Sequence, residues 1–143
     1  MQLSLLLQRL DPIRVDGRTN REVSRVTHDS REVTPDALFV AIRGQSVDAR
    51  GFVPDLDVAC VVADGDIQAR PGVTTVLVSD ARRALPQLAA AISGDPGKDI
   101  PVVGITGTNG KTTITWMLEA MARSADLQVG IMGTTGHRVA GVP

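Results

Sequence analysis

Residues 102–113 read VVGITGTNGKTT, and this stretch decides the fold of the segment around it. Its apolar and β-branched start predicts a buried strand over Val102 to Thr106, which leads into a glycine-rich loop. The loop ends in Gly-Lys-Thr at residues 110–112, where an amphipathic helical pattern begins. A strand, such a loop and a helix in this order are typical of a P-loop that binds a nucleoside triphosphate.

Each residue type in this loop has a chemical reason to be there. Glycines let backbone N–H groups turn toward phosphate oxygens, and the helix N-terminus adds partial positive charge. Lys111 can reach the β- and γ-phosphates, and the Thr112 hydroxyl can coordinate Mg²⁺. We therefore predict ATP and Mg²⁺ as cofactors, Lys111 as the catalytic residue and Thr112 as a metal ligand. The predicted ATP-binding residues are Gly107, Thr108, Asn109, Gly110, Lys111, Thr112 and Thr113.

The loop departs from the general P-loop pattern at one position, because Ile105 stands where the first glycine is expected. The alternative interpretation is a glycine-rich turn between strand and helix that carries a surface lysine. A Rossmann site is disfavoured, since that site uses G-x-G-x-x-G, which is absent, and needs no lysine.

Beyond the loop, the helical pattern has apolar residues on one face and Glu119 and Arg123 four apart on the polar side. A further strand is predicted over Leu127 to Met132, followed by a glycine-rich tail. One strand–loop–helix–strand segment cannot cover its own sheet, so we expect this domain to be incomplete.

The first part of the chain predicts a separate small α/β domain. The continuous apolar runs at Val58 to Ala63 and Val73 to Ser79 predict strands buried on both faces of a parallel sheet. The predicted strands are Val26 to Asp29, Ala37 to Ile42, Val58 to Ala63 and Val73 to Ser79. Ser4 is predicted to cap a helix over Leu5 to Leu10. Asp80 is predicted to open a second helix, which either bends at Pro86 or starts near Leu85.

The stretch GDPGKD at residues 94–99 is the clearest break in the chain. It predicts a domain over residues 1–97 and the start of a second one over residues 98–143. The predicted fold class is therefore α/β, with a small N-terminal domain followed by the first strand, P-loop, helix and strand of a truncated P-loop ATPase domain.

Composition excludes several classes of function. Fifteen basic and 16 acidic residues among 143 give a net charge of −1, so no basic field attracts nucleic acid. No apolar run is long enough to span a bilayer, and no signal peptide is recognisable. Cys60, the single cysteine, rules out an internal disulfide and is predicted to be a buried, inert thiol. These features favour a cytoplasmic protein, which we expect to be a monomer.

Several motifs together resemble the Mur ligase family of peptidoglycan biosynthesis. Residues 104–113 resemble its ATP loop, in which the variant first position is usual. The stretches Asp29-Ser30-Arg31 and Ala37-Leu38-Phe39-Val40-Ala41, with Gly44 and Asp48, resemble the N-terminal domain of the UDP-N-acetylmuramoyl-tripeptide synthetases, the MurE branch. Residues 130–136 resemble the strand and turn after the loop helix in the same enzymes.

The resemblance implies that residues 1–97 hold the UDP end of a UDP-MurNAc-dipeptide substrate. The implied contacts are His28, Ser30, Gln45, Ser46 and Val47. It further implies a reaction in which ATP phosphorylates a carboxylate of UDP-MurNAc-L-Ala-D-Glu and an amino acid then attacks the acyl phosphate. The added amino acid, which is diaminopimelate, lysine or another, stays open.

Two other interpretations remain. The first is a MurF-type ligase, which adds a dipeptide, and the second is a non-catalytic nucleotide-binding module. The segment alone is expected to be inactive, because it lacks an acidic residue placed to complete a Mg²⁺ site beside Lys111.

Overall fold

The computed structural model describes residues 1–44, 47–134, 136–140 and 142. They form two compact units, Met1–Ile100 and Pro101–Pro143. The boundary between the units lies three residues after the boundary predicted at residue 97. The assignment of the units to substrate and to ATP stays a prediction. Within the described residues, no helix has the length and apolar character needed to cross a bilayer.

The first unit is built on a five-stranded sheet. Its strands are β1 Arg14–Asp16, β2 Arg25–Thr27, β3 Ala37–Ala41, β4 Cys60–Ala63 and β5 Thr74–Leu77. The spatial order is β1-β5-β4-β3-β2, and all neighbouring pairs are parallel except β1, which runs antiparallel to β5 at the edge. The four predicted strands are thus present, in a mixed α/β unit dominated by parallel pairing.

Every residue of β3 and β4 is buried, which confirms the predicted burial of β4, whereas Thr75 and Leu77 of β5 are only half-buried. Successive side chains of a strand point to opposite faces, so Leu38 packs in one core and Phe39 in the other. The first core lies under two helices, and the second under the 3₁₀ segment Ala49–Asp55. Cys60 is fully buried in the first core, where desolvation raises the thiol pKa to about 12, in agreement with an inert thiol.

The first helix, α1, covers Leu3–Leu7, so the prediction that Ser4 caps a helix over residues 5–10 was wrong. The Leu3 N–H donates to the Arg21 carbonyl at 2.9 Å, and the Ser4 N–H donates to another carbonyl of the chain segment that contains Arg21. A neighbouring segment therefore satisfies the free N–H groups of the first turn, and no side-chain cap is needed.

The second helix, α2, covers Ala81–Ile92 and begins where Asp80 predicted. The Asp80 carboxylate accepts a hydrogen bond from the Arg83 N–H at 3.0 Å, which is an N-cap. Pro86 lies inside the helix, so of the two alternatives the later start near Leu85 was wrong.

The second unit contains α3, Lys111–Ser124, and a hairpin of β6, Gly130–Gly133, and β7, Gly136–Val139. The helix and β6 confirm their predictions, but the glycine-rich tail forms a strand that the sequence did not indicate. Residues 101–107 have no regular structure, so the predicted strand over Val102 to Thr106 was wrong. A strand needs a partner for its backbone groups, and no described residue of this unit provides one.

Candidate functional site

The glycine loop is held by two residues whose backbone favours glycine. Gly107 has a φ of 147° and Gly110 a φ of 77°, and a side chain at either position would be strained. Gly110 is the residue directly before α3, so its left-handed conformation turns the chain into the helix. The loop is thereby built from the backbone, which is what a site that approaches phosphate closely requires.

Three backbone donors face out of the start of α3. The first helical hydrogen bond runs from the Ile114 N–H to the Gly110 carbonyl at 2.9 Å. The N–H groups of residues 111–113 precede it and have no carbonyl one turn earlier within the helix. Together with the partial positive charge of the helix N-terminus, they form an anion-binding surface beside the loop.

Lys111 folds back over this loop. Its ammonium group donates to the Gly107 carbonyl and, at 3.2 Å, to the Thr108 carbonyl. A positive charge therefore lies across the loop beside the exposed N–H groups, where a phosphate would meet both. The structure thus places the Lys111 ammonium group against the loop, and its role toward phosphate stays a prediction.

The other predicted residues of the ATP loop are solvent-exposed. Thr112 and Thr113 occupy the second and third positions of α3, and Thr108 and Asn109 lie in the loop before it. A Thr112 hydroxyl at the helix start fits a role as a single protein ligand to a cation that is also held by phosphate oxygens.

A cavity of about 470 Å³ lies in the first unit. Its walls come from the residues that follow β2, from residues 42–44 and 47–52, and from the start of α2. The lining residues are His28, Asp29, Ser30, Arg31, Ile42, Gly44, Val47, Ala49, Phe52, Arg82 and Leu85. It thus brings together His28, Ser30 and Val47 from two separate segments. Gln45 and Ser46, the other two predicted contacts, lie outside the described residues.

Asp29 shapes the first wall of this cavity. Its carboxylate accepts from the Arg31 N–H at 3.0 Å and pairs with the Arg31 guanidinium, which starts the short 3₁₀ turn Ser30–Glu32. The hydrogen bonds from Arg31 hold the pKa of Asp29 well below its usual range. The turn places Ser30 at the cavity wall beside His28.

The second wall is shaped by hydrogen bonds that involve Gly44, Val47 and Asp48. The Gly44 N–H donates to the Val47 carbonyl at 2.9 Å, and a Cβ on Gly44 would lie 2.8 Å from that oxygen. Glycine is therefore required at this position. The Asp48 carboxylate caps the next 3₁₀ segment by accepting from the Arg50 N–H, and hydrogen bonds from Arg50 lower the Asp48 pKa to about 2.

Sequence reasoning missed Phe52, Arg82 and Leu85, which also line the cavity. A phenylalanine outside the predicted strands and helices was one available signal, since such an aromatic has no obvious place in a core. Nothing in the pattern of α2 indicated that its start reaches this cavity.

The family model described as "Mur ligase middle domain" matches residues 105–141. The chain is 41% identical over 128 residues to the UDP-N-acetylmuramoyl-L-alanyl-D-glutamate--2,6-diaminopimelate ligase of Caldanaerobacter subterraneus, covering 87% of this chain and 27% of that protein. It is 40% identical over 131 residues to the UDP-N-acetylmuramyl-tripeptide synthetase of Deinococcus radiodurans, covering 87% of this chain and 26% of that protein.

Among solved structures, the chain is similar to MurF from Acinetobacter baumannii, with a TM-score of 0.67 and 26% identity. That match covers 86% of this chain and 27% of the MurF chain. The chain therefore spans about a quarter of the length of the relatives it matches. The middle-domain match includes the loop and helix of the second unit, and the longer matches extend through the first unit. Residues 105–141 thus match the Mur ligase middle domain, and most of the chain is similar in sequence to relatives named as MurE-type ligases.

Proposed function

We propose that this chain is the N-terminal part of an ATP-dependent amide ligase of the MurE type. The reaction joins the third amino acid to UDP-MurNAc-L-Ala-D-Glu in the synthesis of peptidoglycan precursors. One observation carries the proposal: Lys111 lies across a glycine loop at the N-terminus of α3, in a segment that matches the Mur ligase middle domain.

The second unit would bind the triphosphate. The N–H groups at the start of α3 and the Lys111 ammonium group present positive charge to the β- and γ-phosphates. ATP, when bound, supplies the phosphoryl group that activates the substrate carboxylate. Lys111 holds and neutralises charge as that group is transferred, which is where P-loop enzymes gain most of their rate.

Mg²⁺ would be held here by the Thr112 hydroxyl, supplying charge neutralisation at the phosphates. The acidic residue expected to complete such a site is not provided by Glu119. Its carboxylate is bound to Arg138 at 3.0 Å and to Arg123 at 3.3 Å, which also confirms the predicted Glu119–Arg123 pair. We therefore propose that residues 1–143 alone are inactive, and that further ligands come from other parts of the ligase.

The first unit would bind the UDP end of the substrate in the 470 Å³ cavity, which is in the size range of small-molecule sites. His28, Ser30 and backbone groups at Gly44 and Val47 offer donors and acceptors for a nucleotide. Their convergence on one cavity supports the contacts that the family resemblance implied. We further propose a monomeric, cytoplasmic enzyme with UDP-MurNAc-dipeptide and an amino acid as substrates.

A MurF-type activity is the second candidate, because the similar solved structure is a MurF. The identities favour MurE, since relatives named for the MurE reaction are 32–41% identical to the chain and the MurF structure is 26% identical.

An assay of the complete ligase containing this segment separates the two candidates. Phosphate release is measured with ATP, UDP-MurNAc-L-Ala-D-Glu and either diaminopimelate or lysine, and in parallel with UDP-MurNAc-tripeptide and D-alanyl-D-alanine. We expect turnover with the dipeptide substrate and one free amino acid. Turnover only with the tripeptide substrate would replace the MurE assignment with MurF. No turnover with the tripeptide substrate, or with the dipeptide substrate and diaminopimelate or any of the standard amino acids, would contradict the ligase proposal.

A further inference from the structure

Phe52 stands out in the cavity of the first unit because its side chain contributes little to either core. It is 43% exposed, whereas the next residue, Val53, is 1% exposed and packs against β3 and β4. A buried anchor at Val53 thus leaves the Phe52 ring in the cavity wall. In this cavity, which has both polar and aliphatic lining residues, the aromatic ring offers a flat apolar face to a ligand.

The position of Phe52 is fixed by its backbone. The Gly51 N–H donates to the Asp48 carbonyl at 3.1 Å, and the Leu56 N–H to the Val53 carbonyl at 3.2 Å. Arg50 pairs through its Nε with the Asp48 carboxylate at 2.9 Å, on the other side of the turn. These bonds tie both ends of the 3₁₀ segment, so the ring is presented by an ordered element.

Arg82 is the second residue of this cavity, after Phe52, to which no role has yet been given. Its guanidinium donates to the Arg43 carbonyl at 3.1 Å, and among the described residues it forms no salt bridge. Arg31, the other arginine of the wall, is already paired with the Asp29 carboxylate at 2.6 Å. A guanidinium has five N–H donors, so Arg82 retains donors for an anionic ligand.

We propose that Phe52 and Arg82 determine the specificity of this cavity for a nucleoside diphosphate. The Phe52 ring stacks on the base, and the Arg82 guanidinium pairs with the diphosphate. This inference rests on the UDP site proposed above and adds two recognition residues to it. In this proposal, Phe52 recognises the base of the ligand and Arg82 recognises the negative charge of its diphosphate.

The test uses the 143-residue chain, isotope-labelled, with UDP, uridine and inorganic pyrophosphate as separate probes. Phe52→Leu removes the ring, and Phe52→Tyr retains it. Arg82→Gln removes the charge, and Arg83→Gln removes the neighbouring charge of α2, which does not line the cavity. Dissociation constants come from amide chemical shifts, and thermal unfolding of each variant checks that the first unit stays folded.

We expect Phe52→Leu to weaken UDP and uridine binding by about tenfold and to leave pyrophosphate binding unchanged. Phe52→Tyr should bind all three probes like the unmodified chain. Arg82→Gln should weaken UDP and pyrophosphate by about tenfold and leave uridine unchanged, because it removes a charge-assisted hydrogen bond. Arg83→Gln should change none of them.

Three results would overturn the inference in distinguishable ways. In one result, UDP shifts the His28, Ser30 and Val47 amides of the unmodified chain, but Phe52→Leu and Arg82→Gln bind UDP normally. The UDP site would then be retained, and the roles proposed for Phe52 and Arg82 would be wrong. Equal weakening by Phe52→Leu and Phe52→Tyr would also remove the role of the ring. If millimolar UDP shifts no cavity amide of the unmodified chain, the UDP site itself is wrong.

Discussion

The ammonium nitrogen of Lys111 lies 3.2 Å from the carbonyl oxygen of Thr108, three residues earlier in the same loop. The side chain therefore reaches back across the loop and does not extend into solvent. Carbonyl oxygens are neutral acceptors, whereas phosphate oxygens are charged and form stronger hydrogen bonds with an ammonium group. A bound triphosphate would accordingly compete well for the same donors, with little movement of the lysine.

The loop conformation can be tested at Gly110, whose φ is 77°. Alanine in this conformation is strained by about 1–2 kcal/mol, which shifts the loop away from its binding geometry. We expect Gly110→Ala to weaken ATP binding by the complete ligase about 5- to 30-fold. Gly94→Ala is the matched control, because Gly94 has a φ of 78° and, like Gly110, has open space at its Cβ position. An equal loss of affinity in both variants would show that the effect is general destabilisation.

Sequence patterns predicted the central strands of the first unit well because β3 and β4 are buried on both faces. Continuous apolar runs such as Ala37–Ala41 have few alternatives to a covered parallel strand, and Asp80 gave a clear helix start. The end of α1 and the absence of a strand before the glycine loop were not predictable in this way. Both depend on which backbone groups find partners elsewhere, and local sequence does not contain that information.

The fluorescence of Trp116 is a probe of the second unit, and the Arg138 guanidinium contacts the Trp116 ring. The guanidinium carbon of Arg138 lies 4.8 Å from the Trp116 ring centroid, and Trp116 is the only tryptophan. We expect Arg138→Gln to raise collisional quenching of tryptophan emission by acrylamide, because it removes a cation–π contact of about 0.5–1 kcal/mol. Arg123→Gln is the control, since Arg123 pairs with Glu119 as Arg138 does. The same quenching in both variants would contradict a specific Arg138–Trp116 contact.

The Asp48–Arg50 pair predicts a particular dependence of stability on pH. Hydrogen bonds from Arg50 lower the Asp48 pKa from 3.8 to about 2 in the folded chain. A carboxyl group with a depressed pKa stabilises the fold above its unfolded pKa and loses that contribution as pH falls through the folded value. We expect the free energy of unfolding to fall less steeply in Asp48→Asn than in the unmodified chain between pH 3.8 and about 2.

Urea unfolding at several pH values measures this difference directly. Asp57→Asn is the control, because Asp57 is exposed and forms no salt bridge within the part of the chain that the structure describes. Identical pH profiles for Asp48→Asn and the unmodified chain would show that the pair does not contribute to stability.

The sequence identified the candidate sites unevenly. The candidate ATP loop could be proposed from sequence because its glycines, lysine and threonines all lie within seven consecutive residues, Gly107 to Thr113. The cavity of the first unit is assembled from separate segments, so residue spacing alone does not show that Phe52 and Arg82 line the same space as His28. Only the pairing of parallel strands brings their ends, and the loops that follow them, to one edge of the sheet.

The role of Lys111 in phosphoryl transfer is the central claim, and steady-state kinetics of the complete ligase test it. We expect Lys111→Ala to lower kcat/KM at least a hundredfold, because it removes about 3 kcal/mol or more of transition-state stabilisation. Lys98→Ala is the control, since Lys98 pairs with Asp95 at 2.8 Å in the first unit, outside the glycine loop. Circular dichroism and thermal unfolding establish that both variants are folded. A folded Lys111→Ala enzyme that forms amide product at a near-normal rate would contradict the claim.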